Sequence, residues 1–238
     1  MNKERFAQGI RHGIPIALGY LSVSFAFGMQ AVGAGLTWIQ AVLISATNLT
    51  SAGQVAGLPL MATGAATLAE LAEMALTQLT INLRYALMSL SLGRKLDDSM
   101  DTPRRMVFSF ANTDEIFAVA SSQPGKVGKD YLYGLMAMPW VGWTLGTLLG
   151  AVAGTLLPEF VRGALGIAIY GMFLAIILPP ARKQKPVRFV VAVAVALSLC
   201  FHYIPGLNRV SSGFAIILCA VAAAAAGAAL YPVKEDDA

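Results

Sequence analysis

Residues 210–233 read VSSGFAIILCAVAAAAAGAALYPV, a run of 24 residues without a single Asp, Glu, Lys or Arg. A helix that crosses the hydrocarbon core of a bilayer needs about 20 mostly apolar residues, and this run meets that requirement. Apolar and polar residues do not alternate along it with period two, which argues against a strand of a membrane β-barrel. The run therefore predicts a membrane-spanning α-helix.

Four more uncharged stretches share this property: residues 12–69, 131–158, 163–181 and 189–208. The first is long enough for two or more crossings, and each of the others suits about one. The whole chain is 57% hydrophobic and 13% charged, whereas soluble domains carry about 25% charged residues. We therefore predict an all-α, polytopic membrane helix bundle of about seven or eight spans, forming one domain over residues 1–238 in a lipid bilayer.

The basic residues indicate topology rather than nucleic-acid binding. The net charge of +4 comes from residues in short loops, in four groups at 3–11, 94–105, 126–129 and 182–188. Cytoplasmic loops are rich in Lys and Arg, and we place the amino terminus inside. If every apolar segment crosses the membrane once, the four basic groups cannot all lie on the cytoplasmic side. Either the segment around Asp114 is therefore re-entrant, or a span is miscounted.

The first span is predicted from Gly13 to Gly33, with Pro15 in its first turn. Gly19, Ser22 and Ala26 fall on one helical face, where small side chains allow another helix to approach closely. We expect this face to pack against a neighbour.

The uncharged stretch 12–69 is interrupted at residues 48–57, which read NLTSAGQVAG. Irregular backbone at membrane depth is tolerated only where protein or a water-filled cavity satisfies its polar groups. A broken or re-entrant helix would make Asn48, Ser51, Gly53 and Gln54 substrate-binding residues, with backbone N–H groups free to bind a carboxylate. The alternative is a short loop between two ordinary spans.

The next segment, residues 61–92, is too long for one ordinary span and carries a polar stripe. Because successive residues of a helix are rotated by ~100°, the polar residues of this segment lie within about 80° of one another around the helix axis. They are Glu70, Glu73, Thr77, Thr80 and Arg84. We predict that the two glutamates couple a proton or an ammonium group, that Arg84 forms an ion pair or gate, and that Asn82 contacts substrate. Alternatively, the carboxylates are solvated at the interface or form a structural ion pair.

A second polar group, residues 112–115, lies near the middle of the apolar segment 103–122. We predict that Asn112 and Thr113 bind substrate, and that Asp114 or Glu115 takes a substrate ammonium group or a coupling proton. The alternative is a cluster of helix N-cap residues. With the freed amides near Gln54, these acids would match the two ends of a zwitterion.

Catalytic, metal and cofactor sites are not predicted. The chain has two His and two Cys, without the grouping of a metal site, and it lacks a glycine-rich loop of the Walker type for nucleotide binding.

Several motifs together resemble the AzlC family of bacterial branched-chain amino acid permeases. They occur in family order along nearly the whole chain: Gly13-Ile-Pro-Ile-Ala-Leu-Gly-Tyr20, Phe25-Ala-Phe-Gly28, Ser51-Ala-Gly-Gln54, Asn82-Leu-Arg-Tyr85 before Ser89-Leu-Ser-Leu92, Thr113-Asp-Glu115 with Phe117, and Met172-Phe-Leu-Ala175. Each motif is weak alone, and the ordered set is more specific. The chain departs from the pattern at Tyr85, where members often have His, at Val55, where an aromatic often follows the Gln, and at Leu165-Gly-Ile-Ala168, where a Leu-Asp-Phe element is common.

The resemblance implies a protein of the bacterial inner membrane that exports valine, leucine, isoleucine and sometimes methionine. It also implies a gradient of ions or protons as the driving force, and a small AzlD-type membrane subunit of about four spans as partner.

Three rival functions remain open. A permease subunit of a primary transporter would need a cytoplasmic loop for an ATPase, and residues 93–103 form a short one. An intramembrane enzyme would need a nucleophile beside a base, and no such pairing is visible. A structural assembly protein would tolerate neutralisation of Glu70 and Asp114.

Overall fold

The structure, a computed structural model, describes residues 2–62, 67–154 and 156–232. Within these ranges the chain forms ten α-helices, one short 3₁₀-helix at Leu207–Arg209 and no strand. The helices are α1 (Lys3–Gly33), α2 (Trp38–Thr47), α3 (Ser51–Ala62), α4 (Leu68–Gly93), α5 (Thr102–Ser109), α6 (Asp114–Ser122), α7 (Lys129–Ala153), α8 (Glu159–Lys183), α9 (Lys185–Tyr203) and α10 (Ser212–Leu230). The prediction of an all-α bundle is confirmed.

Within the described ranges, four helices have the length and apolarity of membrane spans: α1, α7, α9 and α10. Helix α4 is also long, at 26 residues, and it exposes leucines at positions 79, 83, 87 and 90. An exposed apolar face of this kind is costly in water and is favourable in lipid. The fold is thus a membrane helix bundle, as predicted, while the count of seven or eight crossings stays a prediction.

Both predicted helix interruptions are present. Helix α2 ends at Thr47 and α3 begins at Ser51, so residues 48–50 form a non-helical joint, which we call the first joint. Helix α5 ends at Ser109 and α6 begins at Asp114, which leaves residues 110–113 as the second joint. Residues 63–66, inside the segment predicted at 61–92, lie outside the described residues.

The chain divides into two compact units. The first comprises Met1–Gly64 and Ile81–Ile169, and the second comprises Ala65–Thr80 and Tyr170–Ala238. In the first unit α1 packs along α7, and in the second α10 packs against α9. The prediction of a single domain stays a prediction.

Helices α1 and α7 pack with their backbones in contact. Three glycines of α7 recur at every fourth position, and a Cβ atom on any of them would collide with the backbone of α1: Gly142 against Ala17, Gly146 against Leu21 and Gly150 against Phe25. Gly9, Gly13 and Gly28 of α1 face the backbone of α7 in the same way. Glycines at four-residue spacing form one face of a helix, so the two backbones approach over nearly their whole length.

Two expectations for the first helix are wrong. Gly19 and Ser22 are exposed, whereas Ala26, the third member of the predicted face, is buried. Nothing lies within 4 Å of a Cβ built on Gly19. The face of α1 that packs closely is turned away from Gly19 and Ser22, because it lies against Gly142, Gly146 and Gly150 of α7. Pro15 lies inside the helix rather than in its first turn, because the helix begins twelve residues earlier, where the Asn2 side chain accepts from the N–H groups of Glu4 and Arg5.

Two equal substitutions in α1 test this packing. We expect Gly28→Ala to lower stability by about 1–3 kcal/mol, because its Cβ must displace backbone of α7, 2.8 Å away at the Ala151 nitrogen. Gly19→Ala is the matched control, and it should be neutral or slightly stabilising, because alanine favours helix by about 1 kcal/mol over glycine. Thermal unfolding in detergent measures both, and equal melting temperatures for the two variants would contradict the packing.

Candidate functional site

A small cavity lies in the first unit, where the two joints approach α4. Its volume is about 90 Å³. The lining residues are Asn48, Leu49 and Thr50 of the first joint, Asn82 and Tyr85 of α4, and Ser109, Phe110, Asn112 and Thr113 of the second joint and its edge. The lining is uncharged and combines polar side chains with Leu49 and Phe110. It brings together Asn48, Asn82, Asn112 and Thr113 from the predicted substrate-binding residues.

Thr50 fastens the first joint to α4. Its hydroxyl donates to Asn82 Oδ1 at 2.7 Å and accepts from the N–H of Gly53 at 3.4 Å. One buried side chain therefore serves as the N-cap of α3 and as a cross-link to α4. Thr50 was not predicted as a site residue, although a threonine directly before a helix start is a recognisable cap signal.

Gln54 fastens the same segment to α7. Its Oε1 accepts from Trp143 Nε1 at 2.9 Å, and its Nε2 donates to Ser45 Oγ at 3.0 Å. Ser45 in turn bonds to Thr147 Oγ1 at 2.7 Å. Gln54 is fully buried in this network, so its visible role is to hold the broken segment in place. The predicted substrate contacts of Gln54, of half-buried Ser51 and of buried Gly53 stay predictions.

Asn112 presents an unused acceptor in the second joint. Its Nδ2 donates to Ser89 Oγ of α4 at 3.0 Å. Its Oδ1 is buried and has no hydrogen-bond partner among the described residues. Leaving a buried acceptor unpaired costs about 1–3 kcal/mol, and this cost would be recovered if a bound molecule donated to the oxygen.

Tyr20 of α1 joins the second joint to the first turn of α6. Its hydroxyl lies 2.6 Å from Thr113 Oγ1 and 2.5 Å from Glu115 Oε2. The phenol has one proton, so when it donates to the carboxylate, the Thr113 hydroxyl can donate to the phenol oxygen. Thr113 occupies the N-cap position of α6, as the alternative of an N-cap cluster predicted. Its side chain does not form the hydrogen bond of a cap. Tyr20 was not predicted as a site residue from the sequence.

Asp114 points to α4 instead. Its Oδ2 lies 2.5 Å from Arg84 Nη1, and the side chains are 37% and 43% exposed. The guanidinium also stacks on the Tyr85 ring, 4.9 Å from its centroid, and its Nη2 donates to the Tyr85 hydroxyl at 3.1 Å. Arg84 thus ties the start of α6 to α4 and places Tyr85 at the cavity.

Glu70 and Glu73 lie in the second unit and act at helix ends. Glu70 accepts from the N–H and hydroxyl of Thr67 at 2.7 and 2.8 Å, and its own N–H donates to the Thr67 hydroxyl at 3.3 Å, which is a capping box at the start of α4. Glu73 is buried and accepts from the N–H of Gly213 at 2.9 Å, at the start of α10. Both glutamates thus have a structural role at a helix start. The coupling roles predicted for them stay predictions.

Comparison with known proteins identifies the family. The family profile described as "AzlC protein" matches residues 15–157. The chain belongs to the AzlC family. It is 31% identical over 224 residues to an "Uncharacterized membrane protein" of Archaeoglobus fulgidus, covering 93% of this chain and 92% of the relative. It is also 26% identical over 200 residues to the "Inner membrane protein YgaZ" of Escherichia coli K12, covering 81% and 80% of the two chains.

Membership in the AzlC family makes the chain a membrane protein, and the recognition made from its motifs is confirmed. AzlC is a family of membrane permeases rather than enzymes, which is consistent with a transporter. No solved structure matches the chain.

Two variants of Glu73 separate its charge from its hydrogen bond. We expect Glu73→Ala to lower the free energy of unfolding by about 1–3 kcal/mol, because it leaves the buried Gly213 N–H unpaired at the start of α10. Glu73→Gln should unfold close to the wild type, because its amide oxygen can still accept. Thermal unfolding of the purified variants is the measurement, and a Glu73→Ala protein as stable as Glu73→Gln would show that the bond does not stabilise the helix end.

Proposed function

We propose that the chain exports branched-chain or similar hydrophobic amino acids across a bacterial inner membrane. Valine, leucine and isoleucine are the substrates, with methionine as a further candidate. Transport is driven by a gradient of ions or protons, and it requires a small AzlD-type membrane subunit. The substrate, the direction, the driving force and the partner rest on the family resemblance, and the site geometry supports a passage for a small neutral molecule.

The observation that carries the proposal is the meeting of two helix interruptions at one polar cavity. Non-helical backbone is costly at membrane depth unless protein or water satisfies it, and transporters use such interruptions to bind their substrates. Here the two joints come from separate segments, and Asn82 of α4 completes the lining.

The chemistry of the lining suits a zwitterion. It contains amides, hydroxyls and the apolar side chains of Leu49 and Phe110, and no charged side chain, so it matches a solute whose net charge is zero. The unpaired Oδ1 of Asn112 can accept from an ammonium group. The N–H groups in the first turn of α3, apart from that of Gly53, which already donates to Thr50, can donate to a carboxylate, since a helix start favours an anion.

The size of the cavity indicates that the site opens during transport. A volume of about 90 Å³ is well below the ~300 Å³ at which typical ligand pockets begin. Helices α3 and α6 are short, at 12 and 9 residues, and each follows a non-helical joint. Rotation at the joints would enlarge the cavity without breaking a helix.

Counterflow of labelled valine in proteoliposomes tests the function, with the chain alone and with an AzlD-type subunit. We expect accumulation of label with unlabelled valine inside, and competition by leucine and isoleucine. Asn112→Ala should lower uptake about tenfold, because losing a hydrogen bond of ~1.4 kcal/mol corresponds to that factor.

Asn208→Ala is the control, because Asn208 lies in the second unit, outside the cavity. It should transport as the wild type does. Absence of counterflow in the wild type with the partner present, or equal transport by the Asn112 and Asn208 variants, would contradict the proposal.

A further inference from the structure

We propose that Glu115 is the carboxylate that binds the coupling proton, and that Tyr20 and Thr113 relay this proton between Glu115 and the cavity. The inference rests on the proposed transport function. It names the coupling ion and the residues that carry it, which the family assignment leaves open.

The relay consists of three oxygen atoms, each within hydrogen-bond distance of the next: Thr113 Oγ1, the Tyr20 hydroxyl oxygen and Glu115 Oε2. Thr113 lines the cavity, and its Oγ1 lies 2.6 Å from the Tyr20 hydroxyl. The Tyr20 hydroxyl lies 2.5 Å from Glu115 Oε2. Both contacts are within the range of O–H···O hydrogen bonds, so a proton can cross from the cavity to the carboxylate in short steps without free water.

The proton balance closes at every atom. In the loaded state the Glu115 carboxylic acid donates to the phenol oxygen, the phenol donates to the Thr113 oxygen, and Thr113 donates into the cavity. On release, Glu115 passes its proton to Tyr20, Tyr20 passes its own to Thr113, and Thr113 passes its own to water or substrate. Glu115 becomes a carboxylate, both hydroxyls end neutral, and the two hydrogen bonds point the opposite way.

Asp114, although adjacent, lies outside the relay. Its Oδ2 contacts Arg84 Nη1 at 2.5 Å, and proton uptake by Asp114 would break this ion pair. Glu115 forms no ion pair within the described part of the chain. The titratable and charged groups around the relay are Asp114 on its own helix, Tyr20 on α1, and Arg84 and Tyr85 on α4.

Tyr20 is held rigidly enough to act as a relay. Its ring packs edge-on against Trp143 of α7, with centroids 5.3 Å apart and an interplanar angle of 75°. Trp143 is neutral, and its own N–H is engaged by Gln54. The close packing of α1 against α7 therefore fixes the phenol oxygen between Thr113 and Glu115.

Tyr20→Phe tests the relay, because it removes the hydroxyl and keeps the ring. Two assays are compared in proteoliposomes: valine counterflow, which needs no net proton movement, and valine transport driven by a pH gradient, with an internal pH dye reporting proton flux. We expect Tyr20→Phe and Glu115→Gln to keep counterflow within about twofold and to lose gradient-driven transport by about tenfold or more, as for the loss of a proton-transfer group.

Tyr131→Phe is the matched control. Its hydroxyl bonds to His12 Nδ1 at 2.9 Å in the same unit, and its removal should leave both assays unchanged. Thermal unfolding establishes that each variant is folded.

The outcomes separate the two proposals. If the wild type with its partner shows no counterflow, the transport function itself is overturned. If the wild type shows counterflow and Tyr20→Phe keeps gradient-driven transport, or the wild type does not respond to a pH gradient, only the relay is overturned. Equal loss of both activities in Tyr20→Phe would also overturn it, because that result indicates a structural or substrate-binding role.

Discussion

Close contact between the backbones of α1 and α7 is the constraint on which the rest of the first unit depends. Glycine occupies the positions where any side chain would collide, such as Gly28 and Gly150. In lipid there is little hydrophobic gain from helix association, so dispersion contacts over a long, close interface must supply the stability. The rigid pair that results carries the side chains that locate the broken segment α2–α3.

Three side chains of α7 make this attachment. Trp143 donates to Gln54, Thr147 bonds to Ser45, and Trp140 donates to the carbonyl of Ala46 at 2.9 Å. A broken helix lacks part of its backbone hydrogen bonding, and side chains from neighbouring helices can replace it. One of these bonds pairs a backbone carbonyl near the end of α2. The others join side chains that flank the first joint to α7, and the Thr50–Asn82 bond joins the joint itself to α4.

Sequence patterns located the interruptions and not their partners. Residues 48–57 and 112–115 are polar and lie inside apolar segments, and helix breaks occur at both places. Gly19 and Ser22 were expected to face a neighbouring helix and do not, because several sets of small residues share a face and only the partner helix selects among them. The four-residue spacing of the glycines in α7 was the better signal. Tyr20, Thr50 and Trp143 were missed, since local sequence cannot show which distant residue a side chain will meet.

The polar stripe of α4 shows a different limit. Helical periodicity places Glu70 and Glu73 on one face, and α4 does contain both. However, Thr67 stands three residues before Glu70, which is the spacing of a capping box, and that simpler role is what the structure shows. A carboxylate in an apolar segment therefore needs its neighbours checked for a helix start before it is given a functional role.

The adjacent acids of α6 obtain different environments from helix geometry alone. Successive side chains point about 100° apart, so in the first turn of α6 Asp114 meets Arg84 of α4 and Glu115 meets Tyr20 of α1. The first contact supplies a full positive charge, and the second supplies a hydrogen bond that serves either protonation state of the acid. One acid is consequently paired with a cation of α4, whereas its neighbour is hydrogen-bonded to a phenol of α1. The helix start at Asp114, set by the second joint, is what separates the two acids, so the interruption that forms the cavity also distinguishes the roles of the carboxylates beside it.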